Sequence, residues 1–242
     1  MSNQRPDYGI DAPGVIRNLL LIGIPLTIAG LFIHQFTIGS VTFFTKGMFQ
    51  GPGISMTFAG LLMLIYSKHG KFRHRDRMLK MVNWKGSEAV LDVGTGRGLM
   101  AIAAAKHLTT GKAVGIDVWQ QSDLSDNTRQ NTLRNAEMEG VADKVTIENQ
   151  DARQIQFPDG SFDVILSNLC LHNIPEKSGR DQACREIARV LRSGGKAVIS
   201  DFIHTNDYAD VFRKAGLSVK ISWDLMGTFP PLHIMEVEKS PQ

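Results

Sequence analysis

The chain has 242 residues, a formal net charge of +3 and a sequence pI of about 8.9. It has room for one α/β domain of roughly 150 to 200 residues, with about 75 residues left over at one end. The basic residues form no long phosphate-binding stripe, so nucleic acid is not an expected partner. The two cysteines, Cys170 and Cys184, lack CxxC or Cys/His spacing. Neither a disulfide framework nor a zinc site is therefore indicated, and a reduced compartment is expected.

The first 66 residues carry two long apolar segments. Residues 18–39 contain one ionisable side chain, His34, and approach the roughly 20 residues that cross ~30 Å of hydrocarbon. Residues 48–66 carry no charge, and their Gly51-Pro52-Gly53 is expected at the start of the helix. The pattern predicts an N-terminal membrane anchor over residues 1–66, in which two transmembrane helices contact the lipid bilayer.

The composition of the two segments suits a packed helix pair. Pro25 would kink the first helix, which a membrane helix tolerates better than a soluble one. Close approach of the helices is favoured by Gly23, Ala29, Gly30, Ala59 and Gly60. One alternative is a cleaved signal peptide, but no small-x-small cleavage pattern follows the first segment. The other is a pair of buried helices in a soluble domain, which fits poorly because each helix is apolar all round.

Basic residues crowd the segment 67–82, which is expected to be a juxtamembrane linker. Against one acid, Asp76, it carries Lys68, Lys71, Arg73, Arg75, Arg77 and Lys80. The loop between the two apolar segments carries only Lys46, so the positive-inside rule predicts that the C-terminal domain and the N-terminus are both cytoplasmic. The basic cluster either holds anionic headgroups or is simply a solvated linker. The expected localisation is an integral membrane protein with its C-terminal domain on the cytoplasmic side.

From residue 83 to residue 242, short β-rich runs alternate with helical patterns. This alternation is typical of a mostly parallel sheet with helices on both faces. Seven strands are predicted, at residues 89–93, 113–117, 145–148, 162–167, 196–200, 217–222 and 232–237. Helices are predicted up to about residue 107 and at 127–140, 179–191 and 206–215. The expected fold class is α/β: a Rossmann-like seven-stranded sheet preceded by two transmembrane helices.

A glycine-rich turn follows the first strand of this domain. The stretch Asp92-Val93-Gly94-Thr95-Gly96-Arg97-Gly98 precedes a helix, so backbone N–H groups can approach a nucleotide-like ligand there. Asp117 ends the second strand about 20 residues later, where a carboxylate can accept the hydroxyls of a ribose. Leu99 stands where a dinucleotide site would have its third glycine. Asp92 would repel a pyrophosphate, but it would favour a ligand that carries an ammonium group.

In these features residues 83 to about 238 resemble the class I S-adenosylmethionine-dependent methyltransferases. Within them, the chain is similar to the ubiquinone/menaquinone methyltransferase-like group known as methyltransferase type 11. The resemblance implies the cofactor S-adenosyl-L-methionine and the product S-adenosyl-L-homocysteine. It also implies that the glycine turn lines the methionine moiety and that Asp117 holds the ribose.

The resemblance extends to three further positions. Trp119 would stack against the adenine, and Asp151-Ala152 would bind the adenine amino group. Asn168, at the end of the fourth strand, would lie beside the methyl-donor centre. The cofactor-binding residues so implied are Asp92, Gly94, Thr95, Gly96, Gly98, Asp117, Val118, Trp119, Asp151, Ala152 and Asn168.

Two features depart from the family's pattern. Residues 120–127 are longer and more polar than a minimal strand-to-helix turn, so they either fold over the cofactor or reach the substrate. Membrane segments also stand where the family usually has soluble helices that cover the site. The apolar stretch 223–231 either lines an acceptor pocket or packs the domain.

Two histidines follow strands at the edge where the cofactor would lie. His172 comes after the fourth strand and His204 after the fifth, and either could accept a proton from a substrate. Structural roles are the alternative for both, and His172 is the stronger candidate for the substrate site. A metal site built from His172, His204 and Asp201 has no supporting ligand spacing, so no metal is expected.

The combined prediction is S-adenosylmethionine-dependent methyl transfer to a small acceptor that is lipophilic or membrane-associated. An anchored domain stays within reach of substrates dissolved in the bilayer. Three alternatives remain: a methyltransferase for a soluble small molecule, a catalytically silent membrane-bound cofactor-binding protein, and an NAD-dependent oxidoreductase on the same topology.

Overall fold

A computed structural model describes residues 5–33, 35–44, 46–225 and 227–241. The chain begins with two apolar helices, α1 (Pro13–Phe32) and α2 (Gly51–Ile65). Between them, β1 (Gln35–Ile38) and β2 (Val41–Phe44) form a two-stranded antiparallel ribbon. We call the unit from α1 to α2 the helical hairpin.

The first helix begins and ends earlier than the predicted 18–39. Residues 35–44 form the ribbon instead, because β-branched and aromatic residues dominate there and favour strands. Phe36 and Phe43 stack across the ribbon with ring centroids 5.0 Å apart. Gly39, at φ +62°, allows the tight turn between the strands. His34, the ionisable residue of the predicted span, lies outside the described residues.

Glycines bring α1 and α2 into close contact. Gly23, Gly30, Gly53 and Gly60 are buried, and a Cβ on Gly53 would lie 2.5 Å from the backbone nitrogen of Thr27. Most other side chains of the hairpin are exposed, including large apolar ones such as Leu21 at 67% and Phe58 at 61%. The hairpin is therefore held together by backbone proximity rather than by a side-chain core.

The second helix does not stop at residue 66. A π-helical turn at Tyr66–Gly70 carries it into α3 (Lys71–Leu79), giving one helical run over Gly47–Leu79. The segment 67–82, expected from its charge to be a juxtamembrane linker, is mostly helical in the structure. Its residues Lys71, His74, Met78 and Leu79 are buried, because they pack on the C-terminal domain.

The C-terminal domain follows in chain order as alternating strands and helices. They are β3 (Ala89–Val93), α4 (Leu99–Ala105), β4 (Lys112–Asp117), α5 (Arg129–Met138), β5 (Val145–Asn149), β6 (Phe162–Asn168), α6 (Lys177–Val190), β7 (Leu191–Asp201), α7 (Thr205–Lys214), β8 (Ser218–Asp224) and β9 (Leu232–Glu238). The sheet order is β5-β4-β3-β6-β7-β9-β8, with β9 antiparallel to both β7 and β8. The predicted seven-stranded Rossmann-like sheet is confirmed.

Two apolar cores cover the faces of the sheet. One contains α4, Ala136 of α5, and Met78 and Leu79 of α3; the other contains residues of α6 and α7. The strand order reverses between β3 and β6, since β4 and β5 lie on one side and β7 on the other. In an open α/β sheet, the crevice at the carboxyl ends of the strands beside such a reversal is where ligands bind.

Candidate active site

A central cavity of about 730 Å³ opens at this switch point. Its lining includes nine of the twelve site residues predicted from the sequence: Gly94, Thr95, Gly96, Asp117, Val118, Asp151, Ala152, Asn168 and His172. Asp92, Gly98 and Trp119 are not among the lining residues. The topology thus brings most of the predicted positions to one place, although they are up to 78 positions apart in the chain (94 to 172).

Asp92 lies beneath the glycine turn rather than at the surface of the cavity. Its side chain is buried, and its Oδ2 accepts hydrogen bonds from the Thr95 hydroxyl (2.7 Å) and the Ala101 N–H (2.9 Å). Its Oδ1 has no partner among the described residues. Burial raises the pKa of Asp92 to about 7. A buried carboxylate with a free oxygen favours a cationic group, as the sequence argument required.

Backbone conformation explains the glycines of this turn. Gly94 has φ +76° and Gly98 has φ +86°, a region that disfavours side chains. A Cβ on Gly94 would collide with the side chain of Cys170. Gly98 stands immediately before α4, next to Ile102 and Thr132, which places its role in helix packing rather than at the cavity.

Asp117 joins the turn to the end of β4. One carboxylate oxygen accepts the Gly96 N–H at 2.8 Å, and the other accepts the Trp119 N–H at 2.6 Å. Burial raises its pKa, and the backbone donors oppose that shift. Each carboxylate oxygen has more than one lone pair, so Asp117 can also accept hydroxyl groups from the cavity.

Of the residues predicted to lie near the adenine, all but Trp119 line the cavity. Val118 lines the cavity and is 56% exposed, whereas the Trp119 indole turns away and donates to the Asn149 side chain. Asp151 and Ala152 line the cavity, and the bidentate partner Arg153 lowers the pKa of Asp151. An adenine in this part of the cavity would meet Val118 rather than Trp119.

His172 lies in a short 3₁₀ turn, Leu171–Asn173, just after β6. Its Nδ1 is 2.8 Å from Oδ1 of Asp201, whose carboxylate is buried at the end of β7 and also accepts the His172 N–H at 3.1 Å. The Nδ1–Oδ1 contact does not meet hydrogen-bond geometry, so the hydrogen bond between His172 and Asp201 is the one made by the backbone N–H. His172 therefore lies on the wall of the cavity with a buried carboxylate beside its ring.

His204 does not join this arrangement. It stands at φ +63° before α7, with Nδ1 3.7 Å from Asp207, and is not a lining residue. In the part of the chain that the structure describes, no group of three His, Cys, Asp or Glu residues is placed to hold a metal ion.

Residues 7–12, which we call the N-terminal strap, contribute Tyr8, Asp11 and Ala12 to the lining of the cavity. Lys71, with its side chain 3% exposed, donates to the carbonyls of Tyr8 (2.8 Å) and Gly9 (2.6 Å). On the other side the strap pairs with residues 123–125, through Ala12 N–H to Asp123 O and a reciprocal pair between residues 10 and 125. The 120–127 segment, whose role the sequence left open, thus pairs with the strap beside the cavity, and Gln120, Asp123 and Leu124 are among the lining residues.

The opposite wall of the cavity comes from the hairpin and from distant loops. Its apolar members include Val15 of α1, Met63 of α2, Phe202 and the pair Phe229-Pro230. Residues 223–231 therefore contribute to the pocket through Phe229-Pro230. Trp223 instead packs against His233, with the two ring centroids 3.7 Å apart. Met226 lies outside the described residues.

Sequence reasoning missed several lining residues, namely Tyr8, Asp11, Tyr66, Lys71 and Cys170. A lysine within a basic run is usually exposed to solvent, so nothing in the sequence distinguished Lys71 as a cavity residue. Cys170 could have been suspected from its position two residues after Asn168, but burial raises its pKa well above the usual value and makes it a poor nucleophile.

The hydrogen-bond acceptors at the cavity fit S-adenosylmethionine. Asp117 on the lining offers a carboxylate to hydroxyls, and Asp92, buried beneath the glycine turn, has an oxygen without a partner among the described residues. Asn127 Oδ1, on another lining residue, is also buried without a partner among the described residues. Unpaired acceptors around one cavity are what a polar ligand would satisfy.

Comparison with known proteins supports the same cofactor. A family model described as "Methyltransferase domain" matches residues 91–199. The 27-O-demethylrifamycin SV methyltransferase of Amycolatopsis mediterranei (strain S699) is 33% identical over 131 residues, which cover 54% of this chain and 44% of that protein. A ubiquinone/menaquinone biosynthesis C-methyltransferase of Bdellovibrio bacteriovorus is 30% identical over 132 residues, which cover 54% and 52%. The chain thus spans about half the length of the curated relatives it matches.

Solved structures show the same fold. A SAM-dependent methyltransferase from Aquifex aeolicus matches with a TM-score of 0.54 and 18% identity, covering 69% of this chain and 96% of that one. The [4+2]-cyclase SpnF matches with a TM-score of 0.60 and 16% identity, covering 99% and 100%. At such identities the likeness concerns the fold alone, and SpnF shows that the fold also carries other chemistry.

Residues 91–199 match a methyltransferase domain model, and the sheet domain has the fold of a solved S-adenosylmethionine-dependent methyltransferase. Together with the cavity, these findings support methyl transfer as the reaction of this domain and S-adenosylmethionine as its cofactor.

Proposed function

We propose that the protein is a membrane-anchored S-adenosylmethionine-dependent methyltransferase, which modifies a small lipophilic acceptor that reaches the site from the bilayer. The observation that carries this proposal is the composition of the cavity wall. Val15 and Met63 belong to the two apolar helices, yet they line the same cavity as Asp117 and His172. An acceptor moving along the base of the hairpin would therefore arrive at the methyl-transfer site.

The hairpin has the properties of a membrane anchor. Pro13–Phe32 and Gly47–Leu79 are long and apolar enough to cross a bilayer, with mean hydropathies of 1.9 and 1.4. Only 17% and 11% of their apolar windows are buried, whereas a core helix of a soluble protein would be mostly buried. Because the exposed side chains are large and apolar, hydrocarbon is a better solvent for them than water.

Charge orients the anchor with the catalytic domain on the cytoplasmic side. Lys68, Arg73 and Lys80, in the helical run beyond α2, are exposed at the domain end of the hairpin. By the positive-inside rule, cations at this end favour the cytoplasm. The same residues are available to anionic headgroups, which would hold the cavity mouth at the membrane surface.

The names of three relatives refer to lipophilic compounds. The name of one refers to a rifamycin, that of another to ubiquinone and menaquinone, and a third is a sterol 24-C-methyltransferase from Aspergillus fumigatus. These names suggest a lipophilic acceptor here as well.

Methyl transfer from S-adenosylmethionine mainly requires the protein to position the cofactor and the acceptor. Bound S-adenosylmethionine supplies an electrophilic methyl group. We infer that Asp92, the glycine turn Gly94 to Gly98, and Asp117 hold and orient the cofactor, and that the strap and residues 120–127 exclude water from it. His172, with the buried carboxylate of Asp201 beside its ring, would accept a proton from the acceptor.

The first test is calorimetric titration of the detergent-solubilised protein with S-adenosylhomocysteine. We expect saturable binding that Asp117→Ala weakens at least about 100-fold, because the ribose hydroxyls and the Gly96 N–H all lose their acceptor. Asp210→Ala, an exposed carboxylate on α7, is the matched control and should bind normally. Binding of NAD in place of S-adenosylhomocysteine would contradict the proposal.

Turnover is tested with S-adenosylmethionine labelled in its methyl group and two extracts of the source organism, one lipid and one aqueous. Label in the lipid product is expected, and His172→Ala should lower its rate by about 100-fold or more without weakening cofactor binding. Label only in the aqueous product would assign a soluble acceptor. No label in either extract, with normal cofactor binding, would indicate a catalytically silent protein.

A further inference from the structure

Two buried polar atoms of the cavity wall have no partner among the described residues: the Tyr66 hydroxyl and Asn168 Oδ1. Both residues line the central cavity, and Tyr66 is only 4% exposed. The two side chains are close enough to interact but do not meet hydrogen-bond geometry. Because an unpaired buried polar group is costly, such a pair in a binding cavity indicates a missing ligand group.

The positions of the two residues place this ligand group on the acceptor side. Asn168 is the last residue of β6, four residues before His172. Tyr66 begins the π-helical turn that follows α2, on the wall that also contains Met63. Such π turns inside helices are frequently found at functional sites. A group held between them would therefore lie between the hairpin and the strand end that faces the switch point.

The hydrogen-bonding capacities of the pair specify the chemistry of that group. The Tyr66 hydroxyl can donate, whereas Asn168 Oδ1 can only accept. A hydroxyl group satisfies both, since it accepts one hydrogen bond and donates another. The surrounding wall, with Val15, Met63 and Phe229, is apolar. A carbon acceptor without a polar substituent would leave both protein atoms unpaired.

We propose that Tyr66 and Asn168 form a recognition site for a hydroxyl group on a lipophilic acceptor, and that this hydroxyl oxygen receives the methyl group. The proposal rests on the proposed function and narrows its substrate class. In the transfer, the acceptor oxygen forms a bond to the methyl carbon and the carbon–sulfur bond breaks, its electron pair remaining on sulfur. The hydroxyl proton, which is hydrogen-bonded to Asn168 Oδ1 in the bound state, is released as the new bond forms, and His172 on the same cavity lining accepts it.

The test compares a phenol with its isostere that lacks the hydroxyl. 4-Fluorophenol and fluorobenzene are titrated by ¹⁹F NMR into the solubilised protein, with and without S-adenosylhomocysteine, and into empty micelles as a blank. We expect wild type to bind 4-fluorophenol at least about 10-fold more tightly than fluorobenzene, because a site built for a hydroxyl rejects the analogue that lacks it. Tyr66→Phe should abolish that preference.

Tyr208→Phe is the matched control. Tyr208 is also a fully buried tyrosine whose hydroxyl has no partner among the described residues, but it belongs to α7, where it packs in the core and is not a lining residue of the cavity. Tyr208→Phe should keep the preference for 4-fluorophenol over fluorobenzene. If it lost the preference as well, the effect of Tyr66→Phe would come from removing any buried hydroxyl and not from the loss of a recognition site. The affinity for S-adenosylhomocysteine should be the same in wild type and both variants.

Equal binding of the two probes to wild type, or an unchanged preference in Tyr66→Phe, would overturn the inference. A loss of S-adenosylhomocysteine binding in Tyr66→Phe would also overturn it, because Tyr66 would then belong to the cofactor side. Failure of wild type to bind S-adenosylhomocysteine would instead count against the proposed function, and the probe preference measured without cofactor would still decide the inference.

Discussion

The two walls of the central cavity are built in different ways. The cofactor wall comes from short loops at the ends of neighbouring parallel strands, and its residues cluster around one motif near Asp92 and Asp117. The wall that we propose for the acceptor, here called the acceptor wall, is assembled from the ends of both apolar helices and a loop at residues 229–230. The first wall therefore depends on local backbone geometry, and the second depends on how the hairpin docks on the domain.

The helical run that continues the hairpin docks on the domain through a few polar contacts of α3. His74 of α3 lies between Asp224 (2.7 Å to Nδ1) and Ser200 (2.8 Å to Nε2), and Arg77 contacts the same aspartate at 2.7 Å. Lys71 holds the strap. On the proposed function, this domain keeps a cofactor wall made of loops at the sheet edge, and the hairpin supplies the acceptor wall. Changes in the hairpin should then alter acceptor chemistry before they alter cofactor binding.

The largest effect is expected from Gly53→Val. Its side chain would press into Thr27, so α1 and α2 would be forced apart and the acceptor wall displaced. We expect labelled transfer to the lipid extract to fall about 100-fold, with the affinity for S-adenosylhomocysteine changed less than about 3-fold. Gly51→Val is the control, because a Cβ there meets nothing within 4 Å. Equal losses of transfer and cofactor affinity would break the distinction between the walls.

Lys71→Met should affect the boundary between the two walls. The methionine keeps most of the length of the side chain but cannot donate to the carbonyls of Tyr8 and Gly9, so the strap should open more often. We expect S-adenosylhomocysteine to dissociate about 10-fold faster, measured by stopped-flow displacement. Lys80→Met, an exposed lysine just after α3, should leave the rate unchanged. A normal dissociation rate in Lys71→Met would remove the strap from the cofactor site.

A smaller effect, confined to the cofactor wall, concerns pH. Burial raises the pKa of Asp92 from its ordinary value of 3.8 to about 7. Between these values the folded state binds a proton that the unfolded state has released, so the free energy of unfolding falls as pH rises from about 4 to about 7. Asp92→Asn should flatten this slope by up to about 1.4 kcal/mol per pH unit, as measured by urea unfolding without cofactor.

The side-chain amide introduced by Asp92→Asn could still accept from Thr95 and Ala101 through its oxygen, so the variant should fold. The matched control is Asp143→Asn, an exposed carboxylate in a turn, whose slope should equal that of wild type. An unchanged slope in Asp92→Asn would show that Asp92 is already ionised in the folded protein at acidic pH.

The smallest effect is expected at Trp119. Because its indole lies outside the cavity lining and bonds to Asn149, Trp119→Leu should change the affinity for S-adenosylhomocysteine by less than about 2-fold. Val118→Asp, which places a charge on the cavity wall, should weaken it more. A large loss in Trp119→Leu would restore the adenine-stacking role implied by the family resemblance.

The sequence predicted the sheet domain well for a physical reason. Strands buried on both faces are continuous apolar runs, and the turns between them carry glycine or polar residues, so each element is visible locally. All seven strands were placed within a few residues, except that β7 begins at Leu191, five residues earlier than predicted. The roles of the site residues, including Asp117 and His172, stay predictions.

The sequence by itself determined the fold of residues 83–242, the cofactor class and the presence of two apolar helices, because these depend on local patterns of glycine, charge and hydropathy. Only the tertiary structure decided that the basic segment after α2 is a docked helix, that Lys71 is buried under the strap, and that Tyr66 lines the cavity. These facts depend on contacts between residues more than 60 positions apart, such as Lys71 with Tyr8 and His74 with Asp224. Such contacts form only after the chain has folded, and no periodicity in a single sequence encodes them.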